Sequence, residues 1–242
     1  MKAAWKALIV VVFMIFALAA GAQEEERVKT VEELFFIDPM LGALLDQATS
    51  ISRESKIAAL DDIKEMLDDN NLGDPDLVFD ILELLSAEGA GRVVREANRL
   101  INDYPIVRRR ATELIGRMGS ELDEDMARKA KVTLSNILIS DGEVMVKSEA
   151  AFALGNIELS DEDDIGDVLD MLDYAINVQS TVAPDNNFAF AIAAAIDKIV
   201  ERTGEVPSYK AYTALTTIME GNYTQAVKNK AGQVVENMKS YR

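Results

Sequence analysis

The 242-residue chain contains no cysteine and no histidine. Without cysteine it cannot form a disulfide, a thiolate nucleophile, an iron–sulfur cluster or a cysteine-based zinc finger. Without histidine it lacks the commonest acid–base residue and the commonest metal ligand. Glycine and proline are sparse, with 13 and 5 residues, and aromatic residues make up 6%. This composition disfavours a loop-rich β-sandwich and favours helices.

Positive charge is also scarce. The chain has 25 Lys and Arg against 42 Asp and Glu, for a formal net charge of −17. Because a surface of this sign repels phosphates, we expect no nucleic-acid partner. The sequence contains none of the G-x-G-x-x-G, G-x-x-x-x-G-K-[ST], G-x-S-x-G or H-E-x-x-H motifs, so we expect no cofactor and no catalytic site built on them.

The first 22 residues have the layout of a secretory signal peptide. Lys2 and Lys6 form a short positive region, an apolar run begins at Ala7, and Ala20-Gly21-Ala22 is an A-x-A cleavage site. The alternative is a retained membrane anchor, but residues 7–22 would span only about 24 Å as a helix, against a hydrocarbon core of roughly 30 Å. We expect cleavage, no stable membrane insertion afterwards, and a periplasmic or secreted protein of a bacterial envelope.

Residues 23–50 are predicted to form a separate acidic and apolar segment. Four bulky apolar residues, Leu34-Phe35-Phe36-Ile37, stand together just before Asp38-Pro39. One interpretation is that they cap an open end of the fold, because terminal repeats need a covered outer face. The other is that the segment, through Phe35 and Phe36, docks on a partner.

The rest of the chain, residues 51–240, alternates between short polar breaks and amphipathic stretches. The stretches run for about 12 to 17 residues with apolar positions at i, i+3, i+4 and i+7, and no strand-like alternation is sustained. Ser160, Asp185 and Ser208 are candidate N-caps. The sequence therefore predicts an all-α fold.

One apolar pattern recurs at a nearly constant period. Its strong copies start at 107, 146, 188 and 227, so the intervals are 39, 42 and 39 residues, and their offsets of 0, 4, 8 and 11 share one helix face. The residues of these copies are Val107, Ala111, Ile115, Met118; Val146, Ala150, Leu154, Ile157; Phe188, Ile192, Ile196, Ile199; and Val227, Ala231, Val235, Met238. A weaker copy is Ser55, Ala59, Ile63, Met66.

Each strong copy after the first follows another amphipathic stretch. These stretches are Met126–Ile139, Ile165–Val178 and Tyr209–Met219. The unit is thus a first helix, a short turn and a second helix, at about 40 residues. One such pair cannot bury its apolar stripe alone, so neighbouring units must stack.

The second helix of the unit resembles the second helix of HEAT repeats. The match consists of Val107-Arg108-Arg109-Arg110-Ala111-x3-Ile115-Gly116, Val146-Lys147-x2-Ala150-x3-Leu154-Gly155 and, less closely, Val227-Lys228-x2-Ala231-x3-Val235. The copy at Phe188 departs from it, with Ala189 in place of a basic residue and Asp197 in place of glycine. The resemblance covers roughly residues 52–239.

This resemblance implies a right-handed superhelical α-solenoid of HEAT-like helical hairpins. It also implies a non-enzymatic scaffold, because such arrays mostly hold another protein. Arg108, Lys147 and Lys228 stand at the repeat's usual basic position. The resemblance gives them a structural role, bonding to a neighbouring loop.

Residues 92–131 are basic within an otherwise acidic chain. We predict extra helices over Leu77–Leu85 and residues 92–101. On the second of these, Arg92, Arg95 and Arg99 would span about 60° and form an exposed ridge. Together with Arg109 and Arg110, the ridge is our candidate contact for an acidic surface on another envelope protein. The alternative is that these arginines pair with the chain's own acids.

Two other functions stay open on the sequence alone. A pair of Asp or Glu residues could hydrolyse an envelope polymer, or the chain could be a passive acidic protein that buffers calcium. Asp68, Asn70 and Gly73 match only the start of an EF-hand loop, because Phe79 stands where a bidentate glutamate is needed. We therefore predict no specific metal site.

Overall fold

The computed structural model describes residues 39–91, 93–205 and 208–240. The predicted signal peptide, Phe35, Phe36 and Arg92 lie outside this range. Ten α-helices make up 76% of the described residues, which confirms the all-α class. They are α1 (Pro39–Thr49), α2 (Arg53–Asp68), α3 (Pro75–Ser86), α4 (Pro105–Glu121), α5 (Glu124–Ser140), α6 (Val144–Asn156), α7 (Glu162–Val182), α8 (Asn186–Thr203), α9 (Lys210–Glu220) and α10 (Gln225–Lys239). A hairpin of two short antiparallel strands, β1 (Arg95–Glu96) and β2 (Arg99–Leu100), separates α3 from α4.

Local sequence accounts for most helix starts. The side chain of Asp185 caps α8 by accepting the backbone N–H of Phe188 at 2.9 Å, as predicted. Ser160 is not a cap, because Asp161 accepts the first free N–H groups of α7. Ser208 accepts the N–H of Lys210 but lies one residue before the cap position of α9.

The helices pack in two rows. Helices α2, α4, α6, α8 and α10 form the first row, in which each contacts the next. Helices α5, α7 and α9 form the second row in the same way, and each also contacts the first-row helix that follows it in the chain. At the N-terminal end, α1 packs on α2 and α3, and α3 packs on α4.

The recurring apolar pattern faces the core of this arrangement. All four positions of the copies at 107, 146 and 188 are at most 1% exposed. In the copy at 227, Val227, Ala231 and Met238 are buried, whereas Val235 is half-buried. The predicted core face of the four strong copies is therefore confirmed, except at Val235.

Two glycines bring successive first-row helices close together. A Cβ added to Gly116 on α4 would lie 2.5 Å from Cβ of Ala153 on α6. A Cβ added to Gly155 on α6 would lie 2.6 Å from Cα of Ala195 on α8. Gly116 and Gly155 are equivalent positions of the recurring pattern, as are Ala153 and Ala195. The contact is therefore repeated in register.

Polar contacts also join each helix to the next helix of its own row. In the first row, Arg109 on α4 donates to Glu149 on α6 at 3.0 Å, and Lys230 on α10 donates to Asp197 on α8 at 2.7 Å. In the second row, Lys131 on α5 pairs with Asp167 on α7 at 3.1 Å. Asp197, which stands in place of the pattern's glycine, thus bridges two helices with its side chain.

Candidate interaction surface

Residues 93–101 do not form the predicted helix. They belong to the β1–β2 hairpin, in which Arg95 pairs with Leu100 and Glu96 pairs with Arg99. The turn residues Ala97 and Asn98 both have positive φ, at 45° and 64°, as in the two-residue turns that suit a twisted hairpin. Arg95 and Arg99 therefore do not form part of a helical ridge, and that prediction was wrong for them; Arg92, its third member, lies outside the described residues.

Arg95 and Arg99 lie on the strands β1 and β2 and not on a helix. Arg95 is exposed, and its guanidinium donates to the carbonyl oxygen of Asn98 at 3.4 Å. A role for Arg95 and Arg99 in binding a partner stays a prediction. The β-branched residues Val93, Val94 and Ile101 fit an extended backbone better than a helix, which explains why the apolar spacing alone misled.

A buried polar network anchors the hairpin. Nζ of Lys56 on α2 lies 3.0 Å from Oε2 of Glu88, and Nδ2 of Asn102 donates to Oε1 of Glu88 at 2.8 Å. Asn102 in turn accepts the N–H of Val94 at 2.8 Å. Because Lys56, Glu88 and Asn102 are at most 3% exposed, the base of the hairpin is fixed by bonds that water cannot replace.

Arg108 extends this network across the molecule. Its guanidinium pairs with Asp141, after α5, and with Asp103, each at 2.8 Å, and donates to the carbonyl oxygen of Glu88 at 2.9 Å. Burial lowers the pKa of Arg108, but the hydrogen bonds to Asp141 and Asp103 outweigh burial and raise it overall. The structural role implied for Arg108 is thus confirmed; Lys147 makes no such bond within the described ranges.

The predicted contact arginines on α4, Arg109 and Arg110, are bound to the chain's own carboxylates. Arg109 pairs with Glu149 at 3.0 Å, and Arg110 pairs with Asp61 on α2. Arg117 pairs with Asp68 and Glu121. These contacts agree with the alternative interpretation, in which the basic segment neutralises its neighbours. They leave Arg109 and Arg110 with less capacity to hold a partner.

Carboxylates line a cavity between α4 and α6. It has a volume of about 390 Å³, and Glu113, Glu149 and Phe152 line it. Burial raises the pKa of Glu149, and the charge of Glu113 adds to that rise, while the hydrogen bond from Arg109 opposes it. Glu113 itself is exposed.

A wider groove runs between α5 and α7, and we call it the α5–α7 groove. Its volume is about 610 Å³. It is lined by Ser135, Asn136, Ile139, Ser140, Asp170, Met171 and Tyr174. Large apolar side chains are exposed along it: Ile139 by 38%, Met171 by 39% and Tyr174 by 55%. The sequence did not predict this surface.

Apolar exposure extends the groove along both helices. On α5, Val132 lies three residues before Ser135, the first residue of the groove, and is 57% exposed. On α7, Val178 is 45% exposed. Soluble proteins seldom expose large contiguous apolar patches, and such patches commonly mark interaction sites. The α5–α7 groove is therefore the candidate interaction surface.

Among the described residues, no group of three or more acidic side chains could hold a metal ion. None of the helices described above is both long and apolar enough to cross a bilayer. No protein-family model and no curated protein matches the chain.

Proposed function

We propose that this chain is an exported, HEAT-like α-solenoid that serves as a protein–protein interaction scaffold in a bacterial envelope. Two features support the solenoid. The glycine–alanine contacts recur at equivalent positions of successive hairpins, and the polar contacts join neighbours within each row. In a solenoid each repeat contacts only its neighbours, which is the pattern of both sets of contacts.

The observation that carries the scaffold function is the exposed apolar surface of the α5–α7 groove. Fold alone does not imply function, because arrays of this kind also include enzymes. An apolar groove between two anchored helices, however, is suited to bind a partner by burying surface. The free energy of such binding would come mainly from the exposed Met171 and Tyr174.

A site-specific photocrosslink tests this function. A benzophenone amino acid would replace Tyr174 in the groove or, as a control, Phe190, an exposed aromatic residue on α8. Irradiation in the producing cells should give a discrete covalent protein adduct at position 174 and none at position 190. Absence of an adduct at both positions would overturn the scaffold function; an adduct at position 190 alone would overturn the groove as its site.

The export step has its own test. Fractionation of the producing cells should place the chain in the periplasm or the medium, and N-terminal sequencing should begin at Gln23. A chain that starts at Met1 in the cytoplasmic fraction would contradict the envelope location.

Hydrolysis by Glu113 and Glu149 is the alternative function, and the raised pKa of Glu149 is the observation in its favour. Against it, Arg109 is hydrogen-bonded to Glu149, and Glu113 is exposed, so the pair is not enclosed. We expect purified chain and a Glu149→Gln variant to release equal, background amounts of reducing sugar from peptidoglycan.

A further inference from the structure

The exposed apolar residues of the α5–α7 groove lie at helical spacing. On α7, Met171, Tyr174 and Val178 are spaced i, i+3 and i+7, so they form one stripe along the helix. On α5, Val132 and Ile139 are spaced i and i+7 and are exposed in the same way. Seven residues of helix span about 10 Å, which corresponds to two turns of a bound helix.

Acids predominate around this apolar floor. Residues 132–140 of α5 carry no charge, and residues 165–182 of α7 carry three acids and no base. Of these acids, Asp170 lines the groove, and it forms no ion pair within the described part of the chain. Two bases flank the groove, and both are paired with acids of α7: Lys131 on α5 with Asp167 at 3.1 Å, and Lys210 on α9 with Asp173 at 3.1 Å. The groove is thus apolar with a negative rim.

This charge argues against two occupants that the chain itself could supply. A second copy carries the same net charge of −17 and would be repelled. The chain's own apolar segment, Leu34–Ile37, is flanked by Glu32, Glu33 and Asp38, which would meet the same negative rim. An anionic membrane surface is disfavoured for the same reason.

Building on the proposed function, we propose that the α5–α7 groove binds an amphipathic helix of a partner protein, with large apolar residues on one face and Lys or Arg along its edges. The apolar face would cover Ile139, Met171 and Tyr174. The basic edge would lie against Asp170. Helix-in-groove recognition of this kind anchors a helix through residues at i, i+3 or i+4, and i+7.

The probes are three labelled 18-residue peptides, and fluorescence anisotropy measures their binding to the full chain. The first has leucine and lysine in an amphipathic helical order. The second has the same composition in a scrambled order, and the third has glutamate in place of lysine. We expect only the first to bind, and salt should weaken its binding because rim charges contribute.

Matched variants then locate the binding site. The double substitution Met171→Ser/Tyr174→Ser should weaken binding on the order of ten-fold, as loss of central anchors does. Met145→Ser/Phe190→Ser removes two comparably exposed residues from α6 and α8 and should change nothing. Asp170→Asn should weaken binding about two- to five-fold, with Asp62→Asn on α2 as its control. Because the substituted side chains are exposed, far-UV circular dichroism should show every variant folded.

Each contrary result has a defined meaning. Equal binding of the first peptide to wild type and to Met171→Ser/Tyr174→Ser overturns the groove as the peptide site. Binding of the glutamate peptide as tightly as the lysine peptide overturns the basic partner. If no peptide binds while a protein adduct still forms at position 174, the helix proposal fails and the scaffold function stands. Dimers in sedimentation velocity or co-sedimentation with vesicles, lost in the Met171→Ser/Tyr174→Ser variant, would assign the groove to a second copy or to a membrane instead.

Discussion

Individual charged residues do two different jobs in this protein. The side chains of Lys56 and Glu88 are 1% and 4% exposed and form an ion pair inside the core, where a charge without its partner is costly. Lys64 and Asp68 form an i,i+4 pair on the surface of the same helix, with both side chains about half exposed. Such surface pairs contribute about 0.3–0.5 kcal/mol.

Lys56→Met should therefore lower the free energy of unfolding by roughly 3–5 kcal/mol, because it leaves Glu88 charged and buried without a cation. Lys64→Met, the surface control, should lower it by no more than about 0.5 kcal/mol. Urea unfolding followed by circular dichroism at pH 7 measures both.

The double variant Lys56→Met/Glu88→Gln separates the unpaired charge from lost packing. The glutamine side chain introduced at position 88 would be uncharged, and its oxygen could still accept from Asn102. The double variant should recover much of the stability lost in Lys56→Met. Equal losses in the single and double variants would mean that the unpaired charge is not the cause.

Asp164 gives a prediction about pH. The hydrogen bond from Lys131 lowers the pKa of Asp164 below the ordinary 3.8, and the positive charges of Lys131 and Arg128 lower it further. A carboxylate with a lowered folded-state pKa stabilises the fold above its unfolded pKa, and this contribution is lost as the pH falls through the folded-state value. Wild type should therefore exceed Asp164→Asn in stability at pH 6, and the difference should begin to shrink near pH 3.8 and keep shrinking as the pH falls toward the lower folded-state pKa.

Asp163→Asn is the matched control for that series. It removes the same charge one residue earlier in α7, where the carboxylate makes no ion pair within the described residues. Urea unfolding of the three proteins from pH 6 to pH 3 tests the prediction. A difference between wild type and Asp164→Asn that stays constant over this range would contradict it.

At the scale of single elements, apolar periodicity predicted the helices but not the hairpin. The stretches Met126–Ile139 and Ile165–Val178 lie within α5 and α7, because their buried residues repeat at helical spacing. Residues 92–101 show a similar spacing. In the structure, however, Asn102 accepts a hydrogen bond from the backbone N–H of Val94, and Glu88 forms a buried ion pair with Lys56. The spacing of apolar residues along the chain does not encode these contacts.

The α5–α7 groove was missed for a related reason. On α7, Leu172, Ala175 and Ile176 are buried, whereas Met171 and Tyr174 are exposed on an adjoining face. Both faces are apolar at helical spacing, so the sequence indicates burial for each of them. The sequence did contain one indication of this surface. A helix that packs on one side needs only one apolar face, but the apolar residues of α7 cover a wider part of its circumference.

The close contact between first-row helices depends on the small size of Gly155. Gly155→Ala should lower the free energy of unfolding by about 1–3 kcal/mol, because the added Cβ would lie 2.6 Å from Cα of Ala195, and the backbone must shift. Gly166→Ala on α7, where nothing lies within 4 Å of the added Cβ, should instead stabilise by roughly 0.5–1 kcal/mol.

Both substitutions replace glycine by alanine within a helix, so the change in helix propensity is the same in each. The difference in stability between the two variants therefore reports the packing around the added Cβ. Thermal unfolding and urea unfolding measure both variants. If Gly155→Ala is as stabilising as Gly166→Ala, the helices α6 and α8 are not held at the distance that the repeated contact requires.

For the folded part as a whole, stability should be nearly a sum of neighbour contacts. Each first-row helix contacts the next, and the second row does the same, so within the described residues α9 and α10 pack mainly on each other and on α7 and α8. In such an array the last unit can be lost without loss of the others.

A chain that ends at Gly204, and so lacks α9 and α10, should remain helical and unfold cooperatively, with a lower midpoint and a smaller denaturant dependence than the full chain, because less surface is exposed on unfolding. The reason is that α4, α5, α6, α7 and α8 keep their mutual contacts. Native-state hydrogen exchange in the intact chain gives an independent readout should the shortened chain associate: amides of α9 and α10 should open at a lower free energy than those of α4 and α6.

A single non-repeating bundle would behave otherwise. Its helices would share one core, the shortened chain would lose its cooperative transition, and all amides of the intact chain would exchange only through global unfolding.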